Sequence, residues 1–216
     1  MIPLNILDLT RTITPDMPVY PGTKRPQMIE TCRLETEGFR ETELRMYSHT
    51  GTHMDSPAHL FPAGKTLDRF SPDSFYGTAM AVDVSAVKGG IEPEDLLPYQ
   101  QALQEVNFLI LYTGWEHLWG RKEYYHGFPV LSPAAAQWLI QFKLKAVGVD
   151  AISVDTVEAT SPLPIHKIFL GKDILLIENL CNIQPLTGQN FTLCCLPLKT
   201  CRADGAPARA VALVQA

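Results

Sequence analysis

Short runs in which β-branched and aromatic residues dominate, several of them alternating with polar neighbours, recur along the chain and predict strands. They fall at residues 6–10, 28–34, 43–48, 79–84, 108–113, 174–177, 191–198 and 210–214. Helical periodicity is rarer and predicts helices over 93–106 and 133–145, the second opening with Ser132 as N-cap and Pro133 at the first helical position. A short third helix is expected over 163–170. The segments near Ala134 and Ile168 are each followed by an apolar strand-like run, whereas the N-terminal third is strand and loop. That order predicts a mixed α/β or α+β fold. The 17 prolines and 14 glycines are spread over many connections, as in one loop-rich domain spanning 1–216, not in a hinge between two.

Composition narrows the class. At 216 residues, 46% hydrophobic and 19% charged, the chain can bury one sizeable core. Its net charge of −5, without a basic run, argues against a nucleic-acid partner. The first residues lack the basic flank and apolar stretch of a signal peptide, and no run approaches the length of a membrane span. A cytosolic protein that does not enter the membrane is expected. The five cysteines are an odd set with no C-x-x-C pair, which points to reduced thiols and away from a thiolate metal site. Cys194 and Cys195 sit in an apolar run and read as small buried strand residues.

Candidate chemistry is concentrated in one place. Ser48-His49-Thr50-Gly51-Thr52-His53-Met54-Asp55-Ser56-Pro57-Ala58-His59 holds three of the six histidines. Imidazole nitrogens with a carboxylate and no sulfur suit Zn²⁺ or Mn²⁺, and also fit Fe²⁺ or Co²⁺. In an extended strand His49 and His53 would stand roughly 13 Å apart at about 3.3 Å per residue, whereas donors on one ion lie about 3–4 Å from each other. Helix is disfavoured by Gly51, Thr52, Asp55, Ser56 and Pro57. The expected path is a strand ending near His49 that turns at Gly51, where positive φ carries no steric cost. Asp55 would compensate a dication and can bridge two, and His59 is the acid/base candidate because imidazole titrates nearest neutrality. A structural or surface role is the ordinary fate of a single histidine; three so close together are not well explained by it. Glu178, at the end of an apolar run, reads equally well as a strand-end surface charge.

The run His-x-Gly-Thr-His-x-Asp-x-Pro-x-His resembles the signature of the cyclase family of metal-dependent hydrolases, which includes bacterial kynurenine formamidases (arylformamidases) and isatin hydrolases. Gly148-Val149-Asp150-Ala151-Ile152-Ser153-Val154-Asp155, the pair His166 and Glu178, and Leu196-Pro197-Leu198-Lys199 with 203–210 are similar to further family segments, so the likeness spans nearly the whole chain. It implies that His49, His53, Asp55 and Glu178 hold one divalent ion, that Asp55, His166 and Glu178 hold a second in two-metal members, and that His59 carries the proton. It also implies a compact β/β/α fold, a homodimer or homotetramer with active sites near subunit contacts, and a small-molecule amide substrate. The implied reaction is attack of metal-activated hydroxide on an amide or formamide carbonyl, with His59 protonating the leaving nitrogen. One position departs from the formamidase pattern: Tyr20 stands where tryptophan is usual, so a cyclic-amide or isatin-type substrate is the alternative to N-formylkynurenine. The other alternative is a family member that keeps the metal without turnover. His117 and His126 fall outside the matching positions, in an aromatic-rich segment expected to pack as helix and loop, with the option of bordering the substrate pocket.

Overall fold

The computed structural model describes residues 4–158 and 162–215; the first three residues of the segment read above as lacking a signal peptide lie outside the described residues. Among the described residues twelve strands follow in order: β1 (Leu4–Asp8), β2 (Gln27–Cys32), β3 (Glu41–Arg45), β4 (His53–Asp55), β5 (Tyr76–Asp83), β6 (Gly90–Ile91), β7 (Phe108–Tyr112), β8 (Val130–Leu131), β9 (Ala146–Val149), β10 (Leu175–Glu178), β11 (Asn190–Pro197) and β12 (Gly205–Gln215). The main sheet runs β1-β12-β11-β5-β7-β9-β10-β4, and a further pairing of β4 with β12 closes it. Strands β5, β7, β9 and β10 are parallel, and the closing strands are antiparallel.

Alternation along these strands makes two cores. One face points into the closed sheet, where small residues on β12 (Ala206, Ala208, Ala210, Ala212) leave room for Phe108, Ile110, Leu175, Ile177 and Met54. The opposite face, with Leu109, Leu111, Val147, Val149 and Leu176, is covered by Ala135, Ala136 and Leu139 of helix Pro133–Leu139 and by Ile165, Phe169 and Leu170 of helix Pro164–Leu170. Because both faces are covered, β7 is buried at every position, as its unbroken run Phe-Leu-Ile-Leu-Tyr requires. This is the mixed α/β architecture expected from the order of elements.

Two helices are shorter than their periodicity suggests. The 93–106 segment breaks into Pro93–Leu96, a 3-10 turn Leu97–Tyr99 and Gln100–Leu103, since Pro98 removes a helical donor in mid-segment. The helix expected to reach residue 145 stops at Leu139, although Ser132 caps it as expected, accepting from the Ala135 amide at 3.1 Å. Strands β4, β6 and β8 were not foreseen, and β9 is the apolar strand-like run that follows the segment near Ala134. Cys195 is buried in β11 and burial pushes its thiol pKa up, whereas Cys194 is half-buried. The hairpin of β2 and β3 is different from everything else: its eleven strand positions are all exposed or half-buried and include Met28 and Leu44, which face each other in register.

Candidate metal centre

The path through the histidine-rich segment differs from expectation at its start. Strand β3 ends at Arg45, so His49 lies in a bend and not at a strand end. The turn itself is where it was expected, Gly51 having φ +66°. Its carbonyl then accepts hydrogen bonds from His53 Nδ1 at 2.8 Å and from Asn179 Nδ2 at 3.0 Å, which fastens the bend to the end of β10. Three residues of strand follow. Their alternation sends Met54 into the barrel and leaves His53 and Asp55 on the other face. Pairing does the rest: Glu178 of β10 stands opposite His53, and Gly205 of β12 stands opposite Asp55. His166 arrives from helix Pro164–Leu170, whose first-turn amides at Ile165 and His166 donate to the Asp155 carboxylate at 3.1 and 3.0 Å.

Asp55 is the centre of the group and is 1% exposed. Its Oδ1 lies 2.6 Å from His49 Nδ1 and 3.3 Å from His53 Nε2, and its Oδ2 lies 3.5 Å from His166 Nε2. Glu178 completes the ring, with Oε2 3.5 Å from His53 Nε2 and Oε1 3.4 Å from His166 Nε2. Two triads share Asp55, His49–His53–Asp55 and Asp55–His166–Glu178, and a third group, His49–His59–Asp204, adjoins them at His49; each has donor atoms within 4.8 Å of one another. Glu178 is 5% exposed and its Oε1 accepts from the Val154 amide at 2.9 Å, so it is not the free surface charge its sequence context equally allowed.

These residues fit a divalent ion on three grounds. Asp55 Oδ2 is buried without a hydrogen bond, an unstable arrangement for a carboxylate unless a cation faces it. His53 and His166 each tie Nδ1 to a fixed acceptor, the Gly51 carbonyl and Asp155 Oδ2 respectively, leaving both Nε2 atoms directed at Asp55 and Glu178. The donors are imidazole and carboxylate, without thiolate.

The electrostatics follow from burial and carboxylates in competition. Burial disfavours a charged His49, but Asp55 and Asp204 on its two nitrogens outweigh this and raise its pKa to about 10. For His166 burial is likewise outweighed, by the hydrogen bond to Asp155 and by the nearby Asp55 and Glu178 carboxylates, and the pKa rises. Burial would raise Asp55, yet the surrounding imidazoles hold it well below the usual carboxylate range. The hydrogen bond from His49 brings Asp204 to about 2. His59 moves the other way, lowered chiefly by burial, against the pull of Asp55.

His59 ends the 3-10 turn Pro57–His59 beside this group, its ring centroid 4.1 Å from that of His49 and 5.9 Å from that of His166. Its closest ion-pair partner is Asp204 Oδ2 at 3.9 Å, beyond hydrogen-bond length. All of these groups floor a cavity of about 380 Å³ whose walls include Pro18, Val19, Tyr20, Tyr47, Ile152 and Leu163. Tyr20 is half-buried there, and its phenol pKa is raised by burial and by Glu178. His117 and His126 do not join the cavity: His117 Nε2 pairs with the Tyr112 hydroxyl at 3.1 Å, and the aromatic segment around them forms two 3-10 turns that bury Tyr124 in the core. Asp204 was not singled out from the sequence. Its only signal was membership of the 203–210 segment, 155 positions from the histidine it contacts.

The Cyclase family model matches residues 7–156. A kynurenine formamidase of Salinibacter ruber is 31% identical over 210 residues, covering 95% of this chain and 96% of that one. Cyclase-like protein 2 of Oryza sativa is 31% identical over 216 residues, covering 95% and 78%. Among solved structures, isatin hydrolase A from Labrenzia aggregata bound to benzyl benzoate superposes with a TM-score of 0.87 at 24% identity, covering 99% of this chain and 94% of that one.

Proposed function

Since the chain belongs to the cyclase family, we propose that it is a metal-dependent amidohydrolase that deformylates an N-formyl aromatic amine of the N-formylkynurenine type, a step of tryptophan catabolism. The observation that carries this reading is the buried Asp55, without a hydrogen bond at Oδ2, shared by two triads and flanked by a histidine outside both of them. His49, His53 and Asp55 with Glu178 would hold one divalent ion, and Asp55, His166 and Glu178 a second; the nitrogen and oxygen donors suit Zn²⁺ or Mn²⁺. Such an ion polarises a carbonyl and lowers the pKa of water to about 7.

The remaining work belongs to side chains. The His59 ring makes no hydrogen bond to the described residues, its nearest carboxylate, Asp204, being 3.9 Å away, so at the cavity floor it can take a proton and return it to the departing nitrogen. That return matters because an amine anion is a poor leaving group. Tyr20, Tyr47, Pro18 and Leu163 offer an apolar wall to an aromatic ring, with Tyr20 placed to stack. The second reading, a cyclic amide of the isatin type, draws on Tyr20 in place of the formamidase tryptophan and on the isatin hydrolase likeness.

The proposal includes a homodimer or homotetramer, supported by the exposed apolar cross-strand pair Met28–Leu44 of the β2–β3 hairpin. It also includes work in the cytosol, consistent with the free cysteines; no described helix is long and apolar enough to cross a membrane. Comparison of kcat/KM for N-formylkynurenine and isatin, with Zn²⁺- and Mn²⁺-loaded protein, tests the assignment. Preference for isatin would reverse the substrate ranking. Bound metal with no hydrolysis of formanilides, cyclic imides, lactones or isatin would leave a non-catalytic metal protein.

A further inference from the structure

Resting on the metal-site reading, we infer that Asp204 is a positioning residue that turns His49 so that it meets the metal through Nδ1, opposite to the sense of the other two imidazoles. Each of the three rings has one nitrogen tied to a fixed acceptor and the other directed at the Asp55–Glu178 carboxylates. For His53 and His166 the tied atom is Nδ1, held by the Gly51 carbonyl at 2.8 Å and by Asp155 Oδ2 at 2.7 Å. For His49 it is Nε2, 3.0 Å from Asp204 Oδ2, while Nδ1 faces Asp55 Oδ1 at 2.6 Å. A metal ligand needs a lone pair, so the proton of a neutral His49 belongs on the nitrogen that Asp204 accepts from.

Asp204 is itself held. Its carbonyl accepts from the Ser56 amide at 2.9 Å and the Ser56 hydroxyl at 3.0 Å, and the Ser48 hydroxyl donates to its carboxylate at 3.4 Å. The next residue, Gly205, sits in register with Asp55 and lies against the His49 ring so closely that a Cβ would be 2.4 Å from Cε1 and 2.7 Å from Nε2. Backbone packing on one side and a carboxylate at Nε2 therefore fix both the plane and the tautomer of His49. An ordinary surface pair would do neither. Although the Asp204 side chain is 46% exposed, the ring it holds is only 22% exposed.

The experiment is Zn²⁺ affinity, by chelator competition, of wild type, Asp204→Ala and Asp204→Asn, each checked for folding by circular dichroism. Loss of the acceptor in Asp204→Ala should weaken Zn²⁺ about 10- to 100-fold, the usual effect of removing such a partner. Asp204→Asn retains an oxygen that can accept from Nε2–H and should stay within a few-fold of wild type. Imidazole ¹⁵N spectra of the Zn²⁺-loaded wild type should show the His49 proton on Nε2. A proton on Nδ1, or equal affinity in wild type and Asp204→Ala, overturns the inference while leaving the metal centre standing. A wild type that binds no Zn²⁺ overturns the metal centre itself.

Discussion

Burying a carboxylate with one oxygen left without a hydrogen bond costs on the order of several kcal/mol unless a positive group faces it, and Asp55 is in that position at 1% exposure. Imidazolium partners offset the cost in the metal-free chain; a dication would do so while holding the histidines neutral. Replacing His53 and Asp55 together by alanine should therefore abolish metal binding, where metal analysis of the reconstituted wild type finds one or two ions per chain. Retention by the double variant would contradict the assignment. His59 stands apart from the two triads that share Asp55, so His59→Ala should keep its metal and lose roughly 10²- to 10⁴-fold in kcat; metal loss in that variant would make His59 a ligand. The Tyr20 ring in the cavity wall predicts a KM increase of up to about tenfold for Tyr20→Ala, following from 0.5–1.5 kcal/mol for an aromatic pair, and an unchanged KM would remove it from substrate contact. His49, His53, Asp55 and His59 were legible because they crowd into one short segment. Asp204 was not, because a lone carboxylate 155 positions away has no local pattern to mark it.

At the level of elements, the long apolar strands announce themselves, but β4 does not. With His53 and Asp55 flanking Met54, it has too few apolar positions for a period of two to register, and its strand character comes from pairing with β10 and β12. That pairing is what brings Glu178 to His53, which explains why the sequence left Glu178 open between ligand and surface charge. Helix Pro133–Leu139 was legible through its cap, and the cap has measurable consequences. Ser132 Oγ accepts from the Ala135 amide at 3.1 Å and donates to Glu92 Oε2 at 2.6 Å. Ser132→Ala should cost about 1 kcal/mol, or roughly 2–4 °C in Tm for a chain of this size. An unchanged Tm would show that water replaces both bonds without loss.

For the molecule as a whole, closure of the sheet depends on β12 reaching β4 with its first three residues while its later ones pair with β11 and β1, a long-range division of one strand that local pattern cannot reveal. The β2–β3 hairpin is the part this closed body does not absorb. A two-stranded hairpin alone is marginal in water, yet here all of β3 and most of β2 are exposed, with Met28 at 40% and Leu44 at 57%. A cross-strand pair of this kind is stabilised by being covered, and the hairpin leads directly into Tyr47 and His49 of the cavity. If a second copy of the chain covers it, light scattering should give two or four times the 24.0 kDa of one chain. Leu44→Asp, which places a charge on the covered face, should shift that mass toward the monomer while leaving metal content intact. A wild type that runs as a monomer would show that the hairpin stands without a second copy, and a full-size oligomer of Leu44→Asp would place the subunit contact elsewhere on the surface.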